Sequence, residues 1–282
     1  MSVCVGVLGG GQLGRMLADA AARVDVKLLV LDPNPNCSSF QVLPDKQTLV
    51  GDFRNATDIH RLVESCDILT YEIEHVDCHA VIEALQQNGE SIKACPAPET
   101  IALIQDKFVQ KTVLSRYQIP MPRFAAVSEK IHVLELIKSG WSFPMVLKSR
   151  RLAYDGKGNV LIHSERDIDS AFEKLIGRSE AIEDQLYVEE FVPFIKELAV
   201  MVAKSTTGEI LCYPVVETIQ KDSVCHLVIA PAQIHLSARQ KALQLARDVV
   251  QHLDGAGIYG VEMFLTRDGI LLYSSSLCLM LV

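Results

Sequence analysis

Three groups of residues have types and spacings that could do chemistry. The first is Lys148 with the loop behind it, Ser149-Arg150-Arg151-Leu152-Ala153-Tyr154-Asp155-Gly156-Lys157-Gly158, closing on Asn159. A strand-loop-strand with paired glycines can lay backbone N–H groups over phosphates while flanking cations neutralise them. A solvated basic hairpin has the same composition. The second group is carboxylates. Glu189, Glu190 and Glu197 read as ordinary solvent-facing strand residues, but Glu262 interrupts the apolar run Tyr259-Gly260-Val261-Glu262-Met263-Phe264-Leu265. A carboxylate inside such a run is costly unless it is paired or binds a metal ion. The third group is the turn from Gly9 to Gly14, where Gly9, Gly11 and Gly14 meet the G-x-G-x-x-G spacing and Asp32 ends the next strand. That pattern suits a dinucleotide, with its phosphates at a helix N-terminus and an acid on the ribose. It equally suits a turn that only packs helix against sheet.

The elements that must position these residues follow from periodicity. Residues 3–8, 26–32, 48–53 and 67–74 read as strands, and 12–23, 56–66 and 79–89 as helices, the last closed by Gly89. Strand and helix in alternation predict a doubly wound parallel sheet. Prolines fence the segment 95–124, whose middle predicts one long helix, and a domain boundary belongs there. Beyond it, 143–150, 159–163 and 186–192 predict strands around one helix. Residues 197–204, 209–217 and 224–232 predict antiparallel strands, 237–253 a helix, and 259–273 a hairpin turned at Arg267-Asp268-Gly269. The fold class is thus α/β, a Rossmann-like first domain over 1–97 followed by an α+β domain over 98–273 with a lid at about 123–192.

Composition narrows the function. The net charge of −8 disfavours a nucleic-acid partner and requires any anion site to gather its cations locally. No apolar run reaches the roughly 18 residues of a membrane span, and with no basic region followed by a long apolar segment at residue 1 a secretory signal is not expected. Eight scattered cysteines without a C-x-x-C pair argue against zinc or a disulfide framework and for reduced thiols in the cytosol.

The segments GVLGGGQLGRM, DILTYEIEHV, PAPETIALIQDKFVQK, VLKSRRLAYDGKGN, KELAVMV, PVVETIQKD and GVEMFLT, taken in order, resemble the ATP-grasp carboxyaminoimidazole ribonucleotide synthetase family of purine synthesis, in the form fungal members carry at their N-terminus. The resemblance covers residues 3 to about 272. It implies a pre-ATP-grasp domain, then an ATP-grasp domain that uses ATP, Mg2+ and bicarbonate to carboxylate 5-aminoimidazole ribonucleotide, with homodimers possible. It also implies that the glycine turn serves the ribonucleotide phosphate instead of NAD. An NAD-dependent oxidoreductase is the weaker alternative.

Residue by residue, the resemblance implies that Lys107 and Lys148 contact phosphates. The loop Ala153, Tyr154, Asp155, Gly156, Lys157, Gly158 and Asn159 should cover them. Glu189, Glu190, Phe191 and Val192 should line the adenine through backbone groups, Glu197 should hold the ribose, and Glu262 should bind magnesium. Gly11, Gln12, Leu13, Glu74 and Tyr154 are the implied ribonucleotide contacts, and Asp155 the implied proton acceptor. Two departures stand out. Gln220 replaces the family's usual histidine beside the nucleotide. After GILL, where the family continues with Asn-Glu and a Pro-, Arg- and His-rich segment, this chain reads YSSSLCLMLV, with Ser274 and Ser275 at the Asn-Glu positions. The expectation is a truncated module with one magnesium carboxylate missing, a non-family tail over 274–282 whose serine run and lack of alternation disfavour the alternative of a final strand, weak ATP binding and little or no turnover; a non-catalytic ATP-binding fragment is the alternative.

Overall fold

A computed structural model describes residues 2–89, 92–151, 158–176, 185–222 and 224–279, with side chains up to Ser274. The expected Ala153, Tyr154, Asp155, Gly156 and Lys157 lie outside the described residues.

The first domain is a five-stranded parallel sheet in the order β3-β2-β1-β4-β5. Its elements are β1 (Cys4–Leu8), α1 (Gln12–Arg23), β2 (Lys27–Asp32), β3 (Thr48–Val50), α2 (Ala56–Val63), β4 (Ile68–Tyr71), α3 (Cys78–Gln87) and β5 (Lys93–Ala94). Strands buried on both faces read as continuous apolar runs, and β1 and β2 do so because α1 packs on one face and α2 and α3 on the other. The strand order reverses between β1 and β4, so the carboxyl ends of these two strands flank the crevice where such sheets hold ligands. β4 is shorter than expected: it stops at Tyr71, and Glu72 to Glu74 leave the sheet at that edge.

The single long helix expected in 95–124 is two helices, α4 (Pro98–Gln105) and α5 (Lys107–Arg116). Asp106 separates them with extended dihedrals, φ −115° and ψ 98°. Its carboxylate accepts from the N–H groups of Phe108 and Val109, which makes it the N-cap of α5. An acid that satisfies helix-start donors competes with continuation of the preceding helix, and helical periodicity alone does not register that competition.

A four-stranded antiparallel sheet follows, ordered β6-β9-β7-β8. It is built from β6 (Phe124–Val127), α6 (Lys130–Lys138), β7 (Met145–Ser149), β8 (Asn159–Ile162), α7 (Ile168–Ile176) and β9 (Leu186–Glu190). Phe172 of α7 and Val133 of α6 fill its core against Met145, Leu147 and Val188.

The last sheet runs β13-β12-β10-β14-β15, with β11 paired to β10. It comprises β10 (Phe194–Lys204), β11 (Ile210–Cys212), β12 (Val216–Lys221), β13 (Val224–Ile229), α8 (Leu236–Gln251), β14 (Gly257–Thr266) and β15 (Leu271–Leu279). In β10, Leu198, Val200 and Val202 point at α8, as do Tyr259, Val261, Met263 and Leu265 of β14. Burying each such side chain is worth about 1.5–3 kcal/mol. The alternate positions, Glu197 and Ala199 on β10 and Glu262 and Phe264 on β14, share the other, half-buried face. Glu262 therefore does not interrupt a buried strand. It belongs to a period-two pattern that Gly260 and Phe264 disguise as apolar.

The tail corrects a further expectation. Residues 271–279 form a strand against β14, pairing Leu272 with Phe264 and Leu277 with Val261. Between Met263↔Tyr273 and Val261↔Leu277 the register shifts, so positions 274–276 of β15 stand opposite Glu262 alone. That bulge breaks the alternation by which a strand is recognised.

Candidate active site between the lid sheet and the six-stranded sheet

Lys107, Lys148, Asn159, Glu197, Thr218, Glu262 and Ser274 line one cavity of about 120 Å³. Lys107 is the first residue of α5, Lys148 comes from β7, Glu197 from β10 and Glu262 from β14, so four elements bring the charged groups together there. Burial and then the neighbouring Lys148 ammonium push the Lys107 pKa down, against the pull of Glu74, Glu262 and Glu189. The cleft thus sets the Lys107 and Lys148 ammonium groups opposite the Glu197 and Glu262 carboxylates.

Behind it lies a buried triad. Lys148 Nζ donates to Glu189 Oε2 at 2.9 Å, and Lys111 Nζ lies 3.0 Å from Glu189 Oε1 as a charge contact without hydrogen-bond alignment. Burial alone would raise the Glu189 carboxyl, but Lys148 and Lys111 outweigh it and hold the pKa at about 2. Lys111 is fully buried, with the rings of Tyr273 and Phe124 at 5.6 and 5.8 Å from its ammonium. Sequence reasoning missed Lys111. The signal was present, because Lys107 and Lys111 are four apart and so share a helix face.

Glu189 corrects its expected role. It is 3% exposed and sits in a central strand, opposite both Phe124 and Val146. Its side chain does electrostatic work, and its backbone belongs to the ladder. Glu190 likewise donates its N–H to Arg123 O at 2.9 Å. Phe191 and Val192, past the end of β9, are the segment's remaining backbone for an adenine.

Glu197 and Glu262 are diagonal neighbours on adjacent strands, since Glu197 pairs with Phe264 and Ala199 with Glu262. Burial raises the Glu197 pKa and Glu262 adds to it, while a hydrogen bond from Gln220 offsets part of the rise. Gln220 therefore reaches the cleft through Glu197. Two half-buried carboxylates that repel each other fit a divalent cation between them. No cluster of three or more His, Cys, Asp or Glu occurs among the described residues, so such an ion would complete its shell with phosphates and water.

A second cavity of about 270 Å³ lies beside the first, lined by Arg54, Glu74, His75, Gln105, Lys107 and Arg151 among others. Lys107 is common to both. Burial raises the Glu74 pKa, with His75 and Lys107 opposing. Gln105 donates to the carbonyls of Glu74 and Val76 at 2.6 and 2.7 Å, which ties this edge of the parallel sheet to the end of α4.

The glycine turn is used otherwise. Asp32 accepts from the N–H groups of Gly10 and Asn34, both at 2.8 Å, so its carboxylate closes the turn and is not presented to a ribose. Cβ atoms built on Gly9 and Gly11 would each stand 2.7 Å from a carboxylate oxygen of Glu72. Oε1 of Glu72 also accepts, at 3.5 Å, from the N–H of Gly14. The place a pyrophosphate would take over this turn is held by the chain's own carboxylate. This disposes of the dinucleotide alternative, and Gly11, Gln12 and Leu13 line neither cavity.

Residues 112–275 match the ATP-grasp domain family, and residues 2–105 match the ribonucleotide synthetase preATP-grasp domain. Phosphoribosylaminoimidazole carboxylase of Candida glabrata is 44% identical over 264 residues, 94% of this chain and 45% of the relative. The chain thus spans about half the length of the fungal relatives it matches. The structure of carboxyaminoimidazole ribonucleotide synthase from Aspergillus clavatus complexed with ATP superposes with a TM-score of 0.86 at 39% identity, covering 96% of this chain and 69% of that one. The Aspergillus clavatus N5-carboxyaminoimidazole synthase in complex with ADP and 5-aminoimidazole ribonucleotide gives 0.87 at 38% identity, covering 98% and 69%. With its two domain matches in order and both sheets of the cleft in place, the chain belongs to the ATP-grasp family, in its carboxyaminoimidazole ribonucleotide synthetase branch.

Proposed function

We infer that this chain binds ATP in the cleft between the four-stranded and six-stranded sheets and uses it to carboxylate 5-aminoimidazole ribonucleotide with bicarbonate. The observation that carries this reading is Lys107, which lines both the acid-bearing cleft and the cavity that holds Glu74 and His75. A phosphoryl donor in the first cavity and an acceptor in the second would meet at that ammonium. Lys107 and Lys148 hold the triphosphate, and Glu197 takes the ribose hydroxyls. Glu262 would hold magnesium, which would supply charge neutralisation of the phosphates. A bicarbonate oxygen attacks the γ-phosphorus, the bond to ADP breaks, and carboxyphosphate forms. Its carbon–oxygen bond to the phosphate breaks, releasing inorganic phosphate and carbon dioxide, which the exocyclic amine of the ribonucleotide captures with loss of a proton. Carboxyphosphate is labile in water, and the resemblance gives the covering role to Ala153 to Asn159, of which Ala153 to Lys157 lie outside the described residues. The resemblance gives the proton to Asp155, outside the described residues. Arg54 and Arg151 supply the cations for the ribonucleotide phosphate, with His75 beside them, since Glu72 fills the glycine turn.

Ser274 favours a second reading. A hydroxyl lines the cavity where the resemblance implies a second acidic contact, which suits a module that binds ATP without turning it over. Release of ADP that requires magnesium and bicarbonate and rises on adding 5-aminoimidazole ribonucleotide establishes the first reading. ATP binding with no such stimulation establishes the second.

A further inference from the structure

Asp106 lines neither cavity, yet five donors converge on its carboxylate, which is 3% exposed. The N–H groups of Phe108 and Val109 reach Oδ1, both at 3.1 Å, and this alone would suffice for the cap of α5. Arg150 adds a fork, Nε to Oδ1 at 3.1 Å and Nη2 to Oδ2 at 2.8 Å, and Arg151 Nε reaches Oδ2 at 3.3 Å. The Arg150 guanidinium also lies over the Phe108 ring at 5.0 Å, and its carbonyl accepts from the N–H of Lys107 at 2.9 Å. Burial pushes the Asp106 carboxyl up, and its bonds to Arg150 more than reverse that.

These contacts join two segments of different origin. Lys107 follows Asp106 directly on α5, and Lys148 precedes Arg150 by two residues at the end of β7 in the lid sheet. We propose that Asp106 is a positioning residue for ATP, locking the root of the glycine loop to the start of α5 so that Lys107 and Lys148 keep a fixed spacing across the cleft. The proposal rests on the reading of this cleft as an ATP site. A planar, bidentate guanidinium–carboxylate pair fixes orientation as well as distance, which a single ammonium contact does not.

The test uses Asp106→Asn and Arg150→Lys. Asparagine caps a helix as well as aspartate does but lacks the charge, and lysine keeps the charge but lacks the fork. MgATP affinity is measured by titration calorimetry on the full chain beside thermal melts. Each variant is expected to weaken MgATP binding roughly tenfold, a ångström-scale misplacement being enough for that. The double variant should lose no more than the worse single one. Lowered melting temperatures with MgATP affinity unchanged, or losses that simply add, overturn the proposal. Should Asp106→Asn fail to fold, Arg150→Lys, which leaves the cap intact, decides alone. A wild-type chain that does not bind MgATP instead brings down the ATP reading itself, and the proposal with it.

Discussion

Glu189 shows how one side chain can serve the fold and the site together. Its carboxylate neutralises Lys111, which has no water to turn to, and restrains Lys148, which faces the cleft. Removing one member of a buried ion cluster leaves the others uncompensated, so Glu189→Gln should cost about 3 kcal/mol in denaturant unfolding at neutral pH. The sign of the pH dependence follows. The carboxyl titrates near 4.5 in the unfolded chain and near 2 in the fold, so its stabilisation is complete above pH 4.5 and drains away as pH falls towards 2. Wild type should lose stability over that window faster than the glutamine variant. Equal stability of the two proteins at pH 7 would show that the cluster contributes nothing net. The four-residue spacing could place Lys111 on the same helix face as Lys107, but its burial could not be read, because burial of a charge is a property of the packed sheets around it and has no local signature.

At the scale of elements, the glycine turn and α1 are shaped around Glu72. A methyl group at Gly11 would stand 2.7 Å from Glu72 Oε1, and Gly9 has φ +100°, a backbone that side-chain-bearing residues rarely adopt. Gly9→Ala should therefore destabilise the first domain by about 1–3 kcal/mol, from the positive φ and from the contacts with Glu72 and Ile73. Glu72→Ala should recover part of that loss, because the clash partner is gone, and thermal melts of the two singles and the double variant read the coupling. Strict additivity would mean that the carboxylate already yields to the added methyl. The parallel strands and their helices were legible in the sequence because buried strands and amphipathic helices write their period into residue types. The Asp106 break and the β15 bulge were not. The first depends on a carboxylate choosing helix-start donors, and the second on a register set by the partner strand. Glu262 was singled out correctly as unusual, but for a reason the alternation of β14 removes.

In the whole molecule, three sheets meet around one ammonium. Lys148 touches only the acid-bearing cavity, whereas Lys107 belongs to both. On the proposed function, Lys148→Met should raise the apparent KM for ATP tenfold or more and leave that for the ribonucleotide near wild type, while Lys107→Met should raise both. Initial rates over a grid of both substrates make the comparison. An Lys107→Met variant with an unchanged ribonucleotide KM would separate the two cavities functionally. The cleft could be anticipated only through the family resemblance, because residue types alone read Glu197 as solvent-facing and gave Lys107 no role. The sharing of Lys107 could not, because it depends on where Gln105 anchors α4 against the edge of the parallel sheet.

The Glu72 carboxylate has a consequence for inhibitor selectivity. Compounds built to occupy dinucleotide folds gain much of their grip from a pyrophosphate laid over a glycine-rich turn. Here such a group would meet like charge and a filled volume, so that scaffold offers no foothold despite the matching motif. A compact anion aimed at Arg54 and Arg151 would find cations instead, and a medicinal chemist should start from that edge of the parallel sheet.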